Sequence, residues 1–304
     1  MKSIFHIGYP KTATSWLQKN FFPNIQNASY VSRHETFETF VQPNHFEFDV
    51  EQILKKYSLN NNDLKIFSLE GFVGTTHNFG LNGYLTTEHA FRIHRVFPEA
   101  RIILFIRKQP DIIASSYIQY IKGGGTYSIK KFLFHQNFQN IAGMPLFNWK
   151  YFEYHHVIKL YNELFGSGNV FVFLYEDFAK NGVDFLKRMI AMLNLNIDLS
   201  KIDLMRVNPS YRRRIKFLAL IVNRFTERKM LNKHYLIHIP GMFELSKKIF
   251  IKLNRYKIFG KYLTSETVLG NKYYKEISDY YKKSNRLLIE QYGIDQIREF
   301  NYSI

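Results

Sequence analysis

The sequence "SIFHIGYPKTATSW", residues 3–16, joins a short apolar run to an amphipathic segment through a turn rich in hydroxyl groups. Residues 3–8 are rich in β-forming side chains and end at Gly8, so they predict a strand. Residues 15–22 predict a helix. The turn between them contains one lysine, Lys11. A strand, a turn and a helix in this order present backbone N–H groups and the positive end of the helix, and these groups bind anions.

The same alternation of short apolar runs and longer periodic segments continues along the first two thirds of the chain. This pattern is typical of an α/β fold with a parallel sheet. Further strands are predicted at 29–32, 63–71, 100–107 and 169–176, and further helices at 86–97, 111–122, 147–166 and 182–195. Beyond residue 200 the pattern is helical and basic. Because no shift in composition marks a linker, we expect residues 1–304 to form a single domain with a helical, basic C-terminal part.

Composition sets limits on the class of protein. The chain has 304 residues, 46% of them hydrophobic and 17% aromatic, which is enough for a sizeable core. The absence of cysteine excludes disulfides, zinc–thiolate sites and a cysteine nucleophile. The N-terminus lacks the apolar stretch of a signal peptide, and the apolar run at 217–222 is too short to span a bilayer. We therefore expect a soluble, cytoplasmic protein.

The net charge of +17 is concentrated near the C-terminus, where residues 201–304 contain 22 Lys and Arg against 9 Asp and Glu. Such an excess predicts anionic partners, among them nucleotides, acidic glycans, lipid head groups and nucleic acid. The alternative is a set of scattered, solvated lysines without a binding role.

The spacing of the lysine in "GYPKTATS" (8–15) differs from that of two common nucleotide loops. Neither the Walker A pattern G-x-x-x-x-G-K-[ST] nor the dinucleotide pattern G-x-G-x-x-G is present. An ammonium group and several hydroxyl or amide donors can nevertheless surround one tetrahedral anion here. These donors belong to Lys11, Thr12, Thr14 and Ser15. An ordinary capped helix with a solvated lysine is the alternative.

A second strand–turn–helix unit carries a similar pair of groups. The predicted strand "ARIILFIR" ends at Arg107, and the helix that follows contains Ser115. An arginine at a strand end and a serine on the next helix can bind a second phosphate group together. Two such units in one α/β sheet indicate an anionic ligand more specifically than either does alone.

These two segments resemble the cofactor motifs of the sulfotransferases. "YPKTATSW" resembles their 5′-phosphosulfate loop, usually Y/P-K-S-G-T-T-W, and "RKQPDIIASSY" resembles their 3′-phosphate motif. "VFVFLYEDF", "NPSYRRR" and "YYKKSNRLLIEQYGI" resemble later landmarks of bacterial members. The resemblance implies a P-loop-like three-layer fold, with a central parallel sheet flanked by helices. It also implies sulfuryl transfer from 3′-phosphoadenosine-5′-phosphosulfate (PAPS), with adenosine 3′,5′-bisphosphate as the product.

The resemblance assigns roles to residues of this sequence. It implies that Arg107 and Ser115 hold the 3′-phosphate, and that the 5′-phosphosulfate is held by Lys11, Thr12, Ala13, Thr14, Ser15 and Trp16. Ala13 stands where the family usually has glycine, which costs about 1 kcal/mol if the backbone there needs a positive φ. A further contact to the nucleotide is assigned to Arg212, Arg213 or Arg214, with a solvated basic turn as the alternative.

Sulfuryl transfer resembles phosphoryl transfer, in which catalysis is mostly positioning and charge stabilisation. We expect Lys11 to neutralise charge on the leaving group, and we expect no metal requirement. The acceptor hydroxyl needs a general base. His34 and Glu35 follow the second predicted strand, whereas Glu70 ends the third. Relatives that act on carbohydrates or tyrosine have a catalytic glutamate after the second strand, so the resemblance favours Glu35.

The sequence contains no motif that identifies the acceptor or the remaining partners. By analogy with the family, we expect a carbohydrate or glycolipid hydroxyl, and contact with a membrane surface or an acidic glycan is compatible with the charge. The acceptor site is expected to be lined by residues 36–62, by residues 122–145 and by the basic C-terminal third. Their aromatic residues could stack on sugar rings or belong to the core, as for Phe46, Phe48, Tyr120 and Tyr127. The competing functions are a nucleotide-dependent phosphotransferase and a basic nucleic-acid-binding protein, although no nucleic-acid module is recognisable.

Overall fold

The computed structural model of the chain describes residues 2–58, 64–74, 81–134, 146–203, 210–226 and 236–304. The chain divides into two compact units. The first comprises Met1–Lys108, Glu153–Val207 and Lys282–Ile304, and the second comprises Gln109–Phe152 and Asn208–Tyr281. The expectation that residues 1–304 form a single domain stays a prediction.

A parallel sheet of five strands forms the centre of the first unit, in the order β2-β3-β1-β4-β5. The strands are β1 (Ser3–His6), β2 (Ala28–Tyr30), β3 (Leu64–Ser68), β4 (Arg101–Ile106) and β5 (Val170–Leu174). In register, His6 on the central strand lies beside Ser68 of β3 and Ile103 of β4. All carboxyl ends therefore meet at one edge of the sheet, which is where such folds bind ligands. The predicted α/β class with a central parallel sheet is confirmed.

Helices make up most of the remaining described chain. In chain order they are α1 (Thr14–Trp16), α2 (Arg33–Phe40), α3 (Val50–Ser58), α4 (Thr86–Val96), α5 (Gln109–Lys122), α6 (Ile129–Phe134), α7 (Tyr154–Phe165), α8 (Tyr175–Leu193), α9 (Arg213–Val222), α10 (Met242–Leu253) and α11 (Ser265–Tyr292). A π-helical turn at Leu17–Phe21 continues α1. Within the described ranges, no helix is both long and apolar enough to cross a bilayer.

The core of the first unit covers both faces of the sheet. Ile4 on β1 belongs to a buried cluster on one face, together with Phe105 and Leu17. Phe5 points to the other face, where its ring stacks on Phe67 with centroids 4.5 Å apart. Burial on both faces explains why the strands appear in the sequence as continuous apolar runs.

Two predicted helices differ from the structure. The helix predicted at 147–166 is interrupted at Glu153, whose φ of −81° and ψ of 80° leave the helical region, so α7 begins only at Tyr154. The helix predicted at 182–195 begins earlier in the structure, at Tyr175. Asn181 has non-helical backbone angles, but α8 continues on both sides of it. Glu176 therefore lies in the first turn of a helix and does not end a strand.

Candidate functional site

The loop after β1 has the backbone of an anion-binding turn. Lys11 and Ala13 adopt positive φ values of 72° and 69°, in the left-handed region. Thr12 stabilises the loop internally, since its buried hydroxyl donates to the carbonyl oxygen of Tyr9 at 2.5 Å. Left-handed residues in a turn orient successive backbone N–H groups toward one side, and such concave arrangements bind anions. The positive φ at Ala13 is the conformation for which related loops use glycine.

The side chains of the loop fall into two groups. Thr14 is buried, and its Oγ1 has no hydrogen-bond partner in the structure, while Ser15 is exposed and Lys11 is half-buried. A buried hydroxyl without a partner loses about 1–3 kcal/mol of hydrogen bonding. The bare Thr14 hydroxyl therefore fits a ligand oxygen at this position.

The side chain of Trp16 anchors the loop in the core. Its indole Nε1 donates to the carbonyl oxygen of Asp203 at 2.8 Å, and its ring packs against Phe178 with centroids 4.9 Å apart. The side chain lies in the core, and the role of Trp16 as a phosphosulfate contact stays a prediction. Trp16 holds the loop by packing beneath it.

Arg107 follows β4 directly and reaches the same loop. Its Nη1 donates to the carbonyl oxygen of Lys11 at 3.1 Å, and its guanidinium carbon lies 4.4 Å from the ring centroid of Tyr175. Its Nε is buried and has no hydrogen-bond partner in the structure. The guanidinium is thus fixed by two contacts while one of its donors remains available to a ligand.

The backbone around Arg107 is held by groups that no sequence pattern connects. The hydroxyl of Tyr154 donates to the carbonyl oxygen of Arg107 at 2.5 Å, and the N–H of Lys108 donates to Glu176 Oε1 at 2.9 Å. Tyr302 donates to the other carboxylate oxygen of Glu176 at 3.0 Å. Burial raises the pKa of Glu176 although these hydrogen bonds oppose the shift. These residues position Arg107 from distant parts of the chain.

Glu70 lies just after the carboxyl end of β3, in a 3-10 turn at Glu70–Phe72. Its Oε1 lies 3.6 Å from Nη2 of Arg33. Its Oε2 is buried and has no hydrogen-bond partner in the structure. Because β3 is the neighbour of β1, Glu70 and the Lys11 loop both lie at the edge of the sheet where parallel strands end.

Glu35 and His34 are engaged in local contacts instead. The Glu35 Oε1 accepts from the hydroxyl of Tyr57 at 3.1 Å and lies 3.0 Å from Nζ of Lys56. Burial alone would lower the pKa of Lys56, but the hydrogen bond and charge of Glu35 outweigh it and raise that pKa. His34 is 81% exposed and lies 3.0 Å from Glu38. Both residues therefore have the contacts of ordinary side chains on α2.

A comparison of the sequence with known protein families identifies its family. The sequence profile described as the sulfotransferase family matches residues 23–198. The chain belongs to the sulfotransferase family. The matched segment contains Arg107, Glu35 and Glu70 and begins after the Lys11 loop.

Solved sulfotransferases resemble the chain in structure. The enzyme from Alicyclobacillus acidocaldarius shares 20% identity over 69% of this chain and 87% of that chain, with a TM-score of 0.48. The mouse sulfotransferase SULT7A1 complexed with PAP shares 15% identity over 94% of this chain and 85% of that chain, with a TM-score of 0.45. A search of curated protein sequences found no match.

A buried polar group, His6, lies at the base of the Lys11 loop in this sulfotransferase chain. His6 Nδ1 lies 2.7 Å from Ser68 Oγ, and Gln18 donates to the carbonyl oxygen of Ser68 at 2.9 Å. A Cβ added to Gly8 would lie only 2.8 Å from His6 Nε2. Burial lowers the pKa of His6 to about 3, so the ring is neutral. The contacts connect both flanks of the Lys11 loop to the strand that precedes Glu70.

The remaining predicted nucleotide contacts of the sulfotransferase belong to the second unit. Arg212 is buried there, and its guanidinium donates to the carbonyl oxygens of Asn254 at 2.8 Å and Gly260 at 2.6 Å. These contacts hold the guanidinium within the second unit, and the nucleotide role of Arg212 stays a prediction. Ser115 on α5 is half-buried and Arg213 on α9 is exposed. Their roles as phosphate contacts stay predictions.

The aromatic residues considered for acceptor stacking are mostly part of the packed interior. Phe48, Tyr120 and Tyr127 are buried, whereas Phe46 is 96% exposed. The Tyr120 hydroxyl accepts hydrogen bonds from the backbone N–H groups of Thr126 and Tyr127. Parts of the predicted acceptor lining, 59–62 and 135–145, lie outside the described residues.

Proposed function

We propose that this sulfotransferase transfers the sulfuryl group of PAPS to a hydroxyl group of a carbohydrate or glycolipid. The main support for PAPS as the donor is a hydrogen bond that joins the Lys11 loop to Arg107. Arg107 is hydrogen-bonded to the backbone of Lys11, and each element holds a buried donor without a partner in the structure, Arg107 Nε and Thr14 Oγ1. Two fixed sets of donors suit a ligand with two separate anionic groups.

Different residues are proposed to bind the two anionic ends of PAPS. The backbone of the loop, the hydroxyls of Thr14 and Ser15 and the ammonium of Lys11 would hold the 5′-phosphosulfate. Arg107 would hold the 3′-phosphate, with Ser115 as the second contact that the sequence predicts. PAPS supplies an activated sulfuryl group, and Lys11 stabilises the negative charge that develops on the departing phosphate oxygen.

Glu70 is the general base of the proposed reaction. The acceptor oxygen attacks sulfur and forms the new S–O bond, and the hydroxyl proton moves to the Glu70 carboxylate. The bond from sulfur to the phosphate oxygen breaks, and its electron pair leaves with adenosine 3′,5′-bisphosphate. Glu70 is preferred to Glu35 because one of its oxygens is buried without a hydrogen-bond partner among the described residues, whereas the Glu35 carboxylate binds Lys56 and Tyr57.

The acceptor class rests on the resemblance to carbohydrate-type members of the family. The metal-free mechanism rests on the donor, because a phosphosulfate group carries less negative charge than the triphosphate of ATP. A phosphotransferase remains the nearest competing function, since it would use a similar fold and anion loop.

A transfer assay tests the proposal directly. The protein is incubated with ³⁵S-labelled PAPS and a panel of glycans, glycolipids and simple phenols, and label on each acceptor is counted. We expect transfer to a carbohydrate or glycolipid hydroxyl that persists when a chelator is added. Turnover of Mg²⁺-ATP with no transfer from PAPS would instead establish a phosphotransferase, and transfer to phenols alone would overturn the acceptor class.

A further inference from the structure

The second unit has an outer surface that is both basic and apolar, formed by α9 and by residues 236–262, which include α10. Hydrogen bonds hold these segments along α9. At its beginning Arg214 Nη1 donates to the carbonyl oxygen of Ile258 at 2.9 Å. Just beyond its end the N–H of Leu236 donates to the carbonyl oxygen of Arg224 at 2.6 Å. We call these segments the basic apolar surface.

Large apolar side chains are concentrated on this surface. In the described parts of the chain, 21 large hydrophobic residues are exposed, and nine of them fall within 236–262. Leu236, Leu245 and Ile258 are 69%, 61% and 71% exposed. On α10, Leu245 and Ile249 are one helical turn apart and both exposed, as are Phe217 and Ile221 on α9. Exposed apolar side chains in such numbers indicate an interaction surface.

Positive charge accompanies these apolar residues. Residues 236–262 contain six lysines and arginines against one glutamate. On α10, Lys248 and Lys252 are exposed next in sequence to Ile249 and Ile251, while the opposite face buries Phe243 and Phe250. Helices with exposed apolar residues beside lysines bind the surface of anionic bilayers, with the apolar groups inserted at the head-group boundary.

We propose that the basic apolar surface binds peripherally to anionic lipid membranes. A soluble acidic polysaccharide would use the lysines but would gain nothing from leucine and isoleucine side chains exposed to water. A second copy of the chain would bring like charges together. An anionic bilayer satisfies both features, because its phosphates attract the cations and its acyl boundary takes up the apolar side chains.

Vesicle co-sedimentation of the full-length protein tests this inference. The probes are phosphatidylglycerol–phosphatidylcholine vesicles, pure phosphatidylcholine vesicles and heparin as a soluble polyanion. We expect binding to the anionic vesicles that weakens at high salt, and little binding to the neutral ones. The double variant Leu245→Ser/Ile249→Ser should bind anionic vesicles about tenfold or more weakly while binding heparin as before.

Matched control variants distinguish binding through the basic apolar surface from non-specific adsorption to vesicles. Val183→Ser/Met192→Ser removes two exposed apolar side chains from α8 of the first unit and should leave vesicle binding unchanged. Lys248→Gln/Lys252→Gln/Lys257→Gln should weaken vesicle binding on the order of 100-fold. Circular dichroism verifies that each variant is folded. If the apolar variant does not fold, the lysine variant provides the test of vesicle binding. Failure to bind anionic vesicles overturns the inference. Unchanged vesicle binding by the apolar variant also overturns it and would indicate a polyanion site.

Discussion

Arg107 Nη1 donates a hydrogen bond to the carbonyl oxygen of Lys11 at 3.1 Å, so the residue after β4 holds the loop after β1. The two elements are 96 positions apart in sequence. A change at either one is therefore expected to disturb the other, and the effects of substituting both should not be additive.

Arg107→Ala should weaken binding of adenosine 3′,5′-bisphosphate by roughly 10- to 100-fold, because charge-assisted hydrogen bonds to a phosphate are lost. Ser115→Ala should act in the same direction with a smaller effect. Isothermal titration with adenosine 3′,5′-bisphosphate and with AMP measures both. Arg101→Ala, at the opposite end of β4, is the control and should leave nucleotide affinity unchanged. Equal affinity of the unmodified protein for the two nucleotides would refute a 3′-phosphate site.

Lys11→Ala should lower kcat by about 100-fold or more, because one lost electrostatic donor removes that much transition-state stabilisation. The fold should persist, since the side chain belongs to a loop. Lys19→Ala, an exposed lysine in the helical turn that follows, is the matched control. A Lys11→Ala enzyme that keeps more than about a tenth of its kcat would remove Lys11 from the mechanism.

Glu70→Gln should lower kcat by about 10²- to 10⁴-fold with donor affinity unchanged, as expected for loss of a general base. Glu35→Gln should leave kcat within a few-fold and lower stability by at most about 1 kcal/mol, because its partly exposed pair with Lys56 is weakened. Steady-state kinetics at saturating PAPS compares the two variants. The reverse pattern would restore Glu35 as the base.

The sequence predicted the sheet and the Lys11 loop because both depend on local patterns. Continuous apolar runs indicate buried parallel strands, and a lysine among hydroxyls at a strand end indicates an anion site. The interruption at Glu153 was not predictable from periodicity, since the apolar pattern continues across it. The contact of Tyr302 with Glu176 spans 126 positions and has no local signal. The proposal of Glu70 over Glu35 depends on which carboxylate has hydrogen-bond partners in the folded chain, and no sequence pattern indicates that.

His6 should make the stability of the protein depend on pH. Its pKa is lowered to about 3 in the folded state from the ordinary 6.5, so between these values the unfolded state binds an additional proton. Its contribution is therefore present above pH 6.5 and falls by about 1.4 kcal/mol per pH unit as pH decreases. Urea unfolding between pH 7 and pH 4.5 measures this effect. Below pH 6.5, the advantage of the wild type over His6→Gln in free energy of unfolding should shrink by about 1.4 kcal/mol for each pH unit. A constant difference between wild type and His6→Gln across this pH range would contradict the expectation.

Ala13→Gly should raise the free energy of unfolding by about 1 kcal/mol, because glycine accepts a φ of 69° without the steric penalty of a Cβ. Thermal and urea unfolding measure the gain. The matched control is Ala191→Gly, at an exposed position of α8. This variant should have a free energy of unfolding about 0.5–1 kcal/mol lower than wild type, because glycine weakens helix interiors. A destabilised Ala13→Gly protein would show that the loop is not strained at this residue.

The close approach of Gly8 to the His6 ring has a consequence for how related sequences can diverge. A Cβ at position 8 would lie 2.8 Å from His6 Nε2, so a lineage that keeps this histidine must either keep the glycine or shift the imidazole ring. A lineage that replaces the histidine by a smaller residue gains room for alanine or serine two positions later. The two sites should therefore coevolve as a pair, with the change at position 6 arising first.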